Sequence, residues 1–238
     1  MMPKNEYLSF VSDEDFLECV EWVCDAYSRV SNTFDLDFLI KTSVDPFKMV
    51  FDMFGRDGGI KLWMEKEKMR QADKTVNNRI GDFHQKLLGK VDGWVDLGVG
   101  DKSEVDLKRE DNSIFIELKN KYNTMNSSST AQCRRKLENI VKEYPNATAY
   151  WAYIVPKKTG DYGNEPWAYS NKGDKHLNPQ IRKVWGKSVY ELVTGNPNAL
   201  EETWKALPSA IGEVIDLEMQ FNGQDKKLLV DFSKYIFD

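Results

Sequence analysis

The sequence predicts an α/β fold: a mixed central sheet flanked by helices, with a helical N-terminal region. Three observations carry this. The first third repeats apolar residues at helical spacing. Two short alternating segments, Glu104–Lys108 and Ile114–Lys119, are separated by a polar turn. Further on, Ala149-Tyr-Trp-Ala-Tyr-Ile-Val-Pro156 reads as a strong strand, central in the sheet.

Length and composition fit one domain. The chain has 238 residues, 41% hydrophobic and 30% charged, ordinary values for a globular protein able to bury a substantial core. We expect a single domain over 1–238: a helical region at 1–80, a catalytic core at 81–207 and a C-terminal extension at 208–238. No internal repeat or low-complexity linker interrupts it.

The elements follow in order. Asp13-Glu-Asp-Phe-Leu-Glu18 places acids at a helix start, with Ser12 as cap, and Phe16, Val20, Trp22, Val23 and Tyr27 continue the apolar stripe. A second helix is expected over Asp37–Lys41 or Pro46–Phe54. A third, long and charged, runs from about Lys61 to Leu88, where Gly89 ends it and a glycine-rich connection follows. A helix with a basic start opens at Cys133-Arg-Arg-Lys136. Pro145-Asn146 turns into the central strand. Gly160 to Pro179 reads as a long polar, aromatic loop, either base-reading or a connector. Ile181–Leu192 and Ala199–Leu207 read as helices, and Phe221–Val230 as a late edge element.

The hairpin carries the chemistry. Side chains alternate across a strand, so Phe115, Glu117 and Lys119 share one face, and Asp106 and Lys108 share one face of the preceding segment. Arg109-Glu-Asp-Asn-Ser113 is rich in turn formers. Folding the ribbon with Val105, Leu107, Ile114, Ile116 and Leu118 toward the core brings Asp106 beside Glu117 and Lys119. Magnesium takes oxygen ligands, usually one or two carboxylates plus water and phosphate oxygens. Two carboxylates and an ammonium held together are therefore the parts of a magnesium-dependent phosphodiesterase: Asp106 and Glu117 as metal ligands, Lys119 to position the attacking water or stabilise the pentavalent phosphorane. Acid-any-lysine triplets also occur at Asp106–Lys108 and Asp225–Lys227, but only Glu117-Leu-Lys119 sits in an apolar strand with an acid at hairpin distance upstream.

The residues after Lys119 sharpen this. Asn120-Lys-Tyr-Asn-Thr-Met-Asn-Ser-Ser-Ser-Thr-Ala-Gln132 is dense in groups that bond base edges and phosphates. With Asp106 and Glu117-Leu-Lys119 before it, this stretch resembles the type II restriction endonucleases of the PD-(D/E)XK superfamily, and within them the subgroup that cuts GGNCC-type sites. The resemblance runs from about Gly81 to about Leu207. One departure is Val105, where a proline often precedes the first acid. The resemblance implies a restriction-endonuclease-like sheet, Mg2+, double-stranded DNA as substrate, a homodimer matched to a palindromic site, and a protective DNA methyltransferase in the same cell. In that superfamily a helix ahead of the hairpin often adds an acid or amide near the metal, which makes Asp82 and Gln85 accessory candidates. His84, between them, is expected to be packed or solvent-facing. Candidates for contacting DNA are Lys121, Asn123, Asn126, Ser127, Ser128, Gln132, Arg134 and Arg135, with Lys157 and Lys158 as phosphate contacts after the central strand.

Charge is distributed to suit a polyanion. Residues 119–190 carry 13 Lys/Arg against 5 Asp/Glu, a local charge of +8, so the rest of the chain holds −13 to reach the net −5. Cys19, Cys24 and Cys133 make no disulfide framework or zinc spacing, which suits reduced thiols in a cytoplasm. No signal peptide opens the sequence and no apolar stretch is long enough to span a membrane. Two other readings stay open: a structure-specific repair or resolvase-type nuclease, and a non-catalytic DNA-binding protein on a nuclease fold.

Overall fold

The computed structural model describes residues 5–32, 36–41, 44–55, 59–98, 100–101, 104–171, 174–216, 227–231 and 233. Four helices come first: α1 (Asp13–Asn32), α2 (Leu36–Lys41), α3 (Pro46–Phe54) and α4 (Gly59–Gly89). Strands β1 (Trp94–Asp96), β2 (Leu107–Arg109) and β3 (Ile114–Lys121) follow, then α5 (Ser127–Glu143) and β4 (Thr148–Val155). Next come β5 (Gly163–Pro166), β6 (Tyr169–Asn171), β7 (Asp174–His176) and β8 (Ile181–Trp185), and last α6 (Lys187–Thr194) and α7 (Ala199–Val214). The chain divides into two compact units, one of Met1–Val20 with His84–Asp238 and one of Glu21–Phe83.

The larger unit is built on a mixed sheet in the order β1-β2-β3-β4-β8-β5, with β6 and β7 paired as a separate ribbon. β1, β2 and β3 are antiparallel neighbours; β4 runs parallel to both β3 and β8; β5 closes the edge antiparallel to β8. β4 is thus central, as its apolar sequence predicts. α5 covers one face: Cys133, Leu137 and Ile140 pack with Val105, Phe115, Ala149 and Ile181 in one buried cluster. β3 is consequently buried on both sides, Phe115 at 1% exposure and Ile116 at 0%. The sequence reading put the core on one side of the ribbon only.

Local chemistry explains the helix ends. Ser12 Oγ accepts a hydrogen bond from Asp15 N at 3.1 Å and donates one to the Asp15 carboxylate at 2.6 Å, which fixes the start of α1. Asp45 caps α3 through Phe47 N and Lys48 N, so both alternatives for the second helix form. Gly89 ends α4, because a Cβ there would lie 2.6 Å from Asp96 Cβ. Only glycine lets the helix end lie against β1.

In the smaller unit, α4 buries Trp63, Glu67, Gln71, Val76 and Phe83. Glu67 binds Arg70 and Gln71, and Arg79 lies over the Trp22 ring at 3.3 Å from its centroid.

Five expectations need correction. The glycine-rich connection contains β1, three residues that are a strand only because Trp94–Asp96 pair with Leu107–Arg109. The basic helix starts six residues earlier than Cys133, because Asn126 caps it through Ser129 N. The Gly160–Pro179 segment is not a plain loop: it holds β5, β6 and β7, of weak intrinsic strand preference, and β5 forms against β8. Residues 172–173 within it lie outside the described residues. Ile181–Trp185 is strand, not helix; Gly186, at φ +62°, separates it from α6, so the expected helix is halved. Of the expected late edge element, 221–226 lie outside the described residues and 227–230 belong to a helical turn, as the helix-forming Lys227, Leu228 and Leu229 allow.

Candidate active site

The β2–β3 register builds the site. Leu107 pairs with Ile116, and Asp106 N donates to Ile116 O at 3.0 Å, so the next pair along the ribbon is Asp106 and Glu117. Directly opposed residues of antiparallel strands share a face. Asp106 Oδ2 accepts a hydrogen bond from Leu118 N at 2.6 Å, which anchors its carboxylate to the partner strand. Lys119, two residues after Glu117 and on the same face, brings Nζ to 2.7 Å from Glu117 Oε1 and 3.8 Å from Asp106 Oδ2. The structure therefore brings together the three residues expected to act.

Burial sets their electrostatics. Desolvation pushes the Asp106 carboxyl up to about 6, against the pull of the Lys119 ammonium. Burial alone would lower the Lys119 ammonium, but Asp106 and Glu117 outweigh it and hold it above the ordinary lysine value. Glu117 is 6% exposed, and its Oε2 is buried without a hydrogen-bond partner. Cys133 packs nearby with its thiol pushed to about 12 by burial, so it is no nucleophile.

Other candidates fall into three groups. Gln85 Nε2 donates to Asp96 Oδ1 at 2.6 Å and reaches Asp106 O at 3.4 Å, so it links β1 to the segment that presents Asp106. Asp82 is an exposed residue of α4 in the helical unit. His84 Nδ1 lies 2.7 Å from the Tyr190 hydroxyl, and burial lowers its pKa to about 4, which makes it a packed neutral histidine.

Lys121, Asn123, Asn126, Ser127, Ser128, Gln132, Arg135, Lys157 and Lys158 are all exposed. β3 and β4 are parallel, with Lys121 beside Val155 and Tyr122 N bonded to Val155 O at 3.1 Å. The Lys121–Asn126 turn, the first turn of α5 and Lys157–Lys158 therefore leave the sheet at the same end. Arg134 does not join them. It is 2% exposed, with Nη1 donating to Trp167 O at 2.7 Å and Nε to Glu138 at 2.9 Å. Its position beside Leu137 on the inward stripe of α5 places it in the interior.

Two residues near the site escaped the sequence reading. Asp96 sits in a three-residue strand with no pattern of its own. Lys136 comes from α5, 19 positions after Glu117 in the sequence, yet places Nζ 3.7 Å from Glu117 Oε2. Once the helix is registered, Lys136 falls between Cys133 and Leu137 on its inward side, and that spacing is the signal that could have found it.

The donor set suits a hard divalent cation. Glu117 Oε2 offers a buried lone pair with no hydrogen bond, close to a second carboxylate. Among the described residues no group of three or more His, Cys, Asp and Glu forms a metal cage. A two-carboxylate site leaves the remaining positions to water and phosphate oxygens, the pattern magnesium favours.

A mixed sheet flanked by helices, with carboxylates and a lysine on its central ribbon, defines a protein of the restriction-endonuclease fold class. The family model described as Eco47II restriction endonuclease matches residues 8–216, and the chain belongs to that family. It is 31% identical over 235 residues to the type II restriction enzyme Sau96I of Staphylococcus aureus, covering 95% of this chain and 88% of that protein. It is 38% identical over 215 residues to the type II restriction enzyme Eco47II of Escherichia coli, covering 87% of this chain and 88% of that one.

Proposed function

We propose that Asp106 and Glu117 hold Mg2+ against a scissile phosphate, that Lys119 steers the attacking water, and that the cut falls at a GGNCC-type site. The protein is a type II restriction endonuclease, a site-specific endodeoxyribonuclease acting on double-stranded DNA. The observation that carries the catalytic reading is the buried, unbonded Glu117 Oε2 beside Asp106 and Lys119. Such an orphan lone pair costs free energy unless a ligand completes it.

When bound, a divalent cation offsets the negative charge of the transition state and acidifies a water. The chain's own residues do the rest. Asp106, anchored to Leu118 N, keeps a fixed orientation. Lys119 stays protonated beside two carboxylates, so it acts as a donor and a positive charge, not as a proton acceptor. It can hold the attacking water in line and stabilise the phosphorane oxygens. The exposed amides and hydroxyls of Asn123, Ser127, Ser128 and Gln132 read base edges, while Lys121, Arg135, Lys157 and Lys158 meet phosphates.

Two copies acting as a homodimer match a palindromic site, and a methyltransferase of matching specificity protects the host DNA. Free thiols at Cys19, Cys24 and Cys133 suit the cytoplasm. Among the described residues no helix is long and apolar enough to cross a membrane. Digestion of a plasmid with Mg2+, followed by sequencing of the ends, tests this reading. Discrete fragments with a common GGNCC-type end sequence are expected; cleavage confined to branched DNA would assign the protein to the resolvase class instead.

A further inference from the structure

Lys136 reaches the catalytic ribbon from α5, on the sheet face that also carries Lys119. α5 lies over the sheet face that carries Phe115 and Glu117, and its inward stripe is Cys133, Leu137 and Ile140. Lys136 sits on that stripe, with 30% of its side chain exposed. Its Nζ donates to Glu104 O at 2.9 Å and lies 3.7 Å from Glu117 Oε2. The second distance is an ion pair and too long for a hydrogen bond, so the Glu117 lone pair stays open. Glu104 holds a positive φ of 56°, costly for a side chain other than glycine, and stands two residues before Asp106. One ammonium thus touches both halves of the ribbon: the carboxylate of Glu117 and the strained backbone that leads into Asp106.

We infer that Lys136 is a positioning residue that occupies Glu117 until a divalent cation and a DNA phosphate together displace it. This role rests on Asp106 and Glu117 being the metal pair. With Lys119 and Lys136 charged, two carboxylates face two ammoniums and the site is neutral without an ion. A cation held by Glu117 Oε2 would share that oxygen with the Lys136 ammonium 3.7 Å from it, and like charges repel strongly in a half-buried site. A DNA phosphate supplies the missing negative charge and draws the ammonium away from Glu117. Metal loading and DNA binding then favour one another, and the coupling is reciprocal. The ribbon stays shaped for the ion, and the ion binds well only where there is DNA to cut.

The test is Mn2+ affinity of the DNA-free protein, measured by calorimetry or by the paramagnetic signal of free Mn2+. Lys136→Met should bind Mn2+ at least five-fold tighter than the parent. Lys136→Arg, which keeps the charge, should match the parent. An uncleavable phosphorothioate duplex bearing a GGNCC-type site should tighten Mn2+ binding in the parent and do so less in Lys136→Met. A residue that only packs α5 would not tighten metal binding when removed. Equal or weaker Mn2+ binding by Lys136→Met, folded by circular dichroism, overturns the proposal; if that variant does not fold, Lys136→Gln is read in the same way. Glu117→Ala separates this role from the metal assignment beneath it. Mn2+ binding should be lost there, and its retention would show that the metal pair itself is misassigned.

Discussion

The Lys119 ammonium lies 2.7 Å from Glu117 Oε1, on the same strand face and half-shielded from water. At that separation each charge stabilises the other, and the lysine is held protonated above its ordinary value. The geometry sets a fixed positive charge beside two carboxylates, and the proposed mechanism takes its pH dependence from Asp106.

Without metal, Asp106 should make the protein less stable as pH rises. Burial holds its folded-state carboxyl at about 6, above the ordinary 3.8. The folded protein keeps a proton that the unfolded chain releases, so this contribution is fully present below about pH 3.8 and lost as pH rises through about 6. Asp106→Asn, which stays neutral, should therefore raise the neutral-pH stability of the metal-free protein by on the order of 2 kcal/mol. Denaturant titrations with chelator at neutral and acid pH check this. The gain should shrink toward pH 4; an equal gain at both would contradict the assignment.

Metal binding should follow the same group with the opposite slope. Protonated Asp106 is a poor ligand, so Mg2+ or Mn2+ affinity should fall as pH drops through about 6. Calorimetry across that range measures it, and a flat profile would mean that Asp106 does not ligate.

The two neighbouring arginines of α5 should behave differently. Arg134→Ala removes a buried guanidinium and leaves Trp167 O without that partner; it should cost about 2–4 kcal/mol of stability. Arg135→Ala should leave stability within about 0.5 kcal/mol but weaken DNA binding and reduce its salt slope by roughly one. Thermal melts and filter binding at several salt concentrations separate them.

How much of this was legible in the sequence differs from residue to residue. Asp106, Glu117 and Lys119 could be placed together because strand alternation and one turn decide their geometry locally. The β4 strand was legible from its unbroken apolar run. Ile181–Trp185 was not, because Ile-Arg-Lys-Val-Trp has no clean period and becomes a strand only beside β4. β1 and β5 are likewise short and set by their partners. Arg134 and Lys136 were legible only in part: the spacing of Cys133, Leu137 and Ile140 sets the inward side of α5, but their partners, Trp167 O and Glu117, lie far away in the sequence.

Base reading should separate from phosphate contact. Truncating Gln132 or Asn123 to Ala should cost about 1–3 kcal/mol of discrimination between the cognate site and a one-base change. Lys157→Ala and Lys158→Ala should weaken all sequences alike. Asn126→Ala also removes the α5 cap, so about 1 kcal/mol of stability should go with any loss of discrimination. If Gln132 and Asn123 variants both keep full discrimination, the β5–β7 region becomes the next place to look.

The central claim is that Asp106 and Glu117 form the metal site of a DNA-cutting enzyme. The direct measurement is single-turnover cleavage of a cognate duplex by Glu117→Ala in Mg2+, with binding of the same duplex measured in parallel. Binding should be largely retained while the cleavage rate falls at least about a thousand-fold, since loss of metal catalysis removes several kcal/mol of transition-state stabilisation. Cleavage above about a thousandth of the parent rate would contradict the assignment.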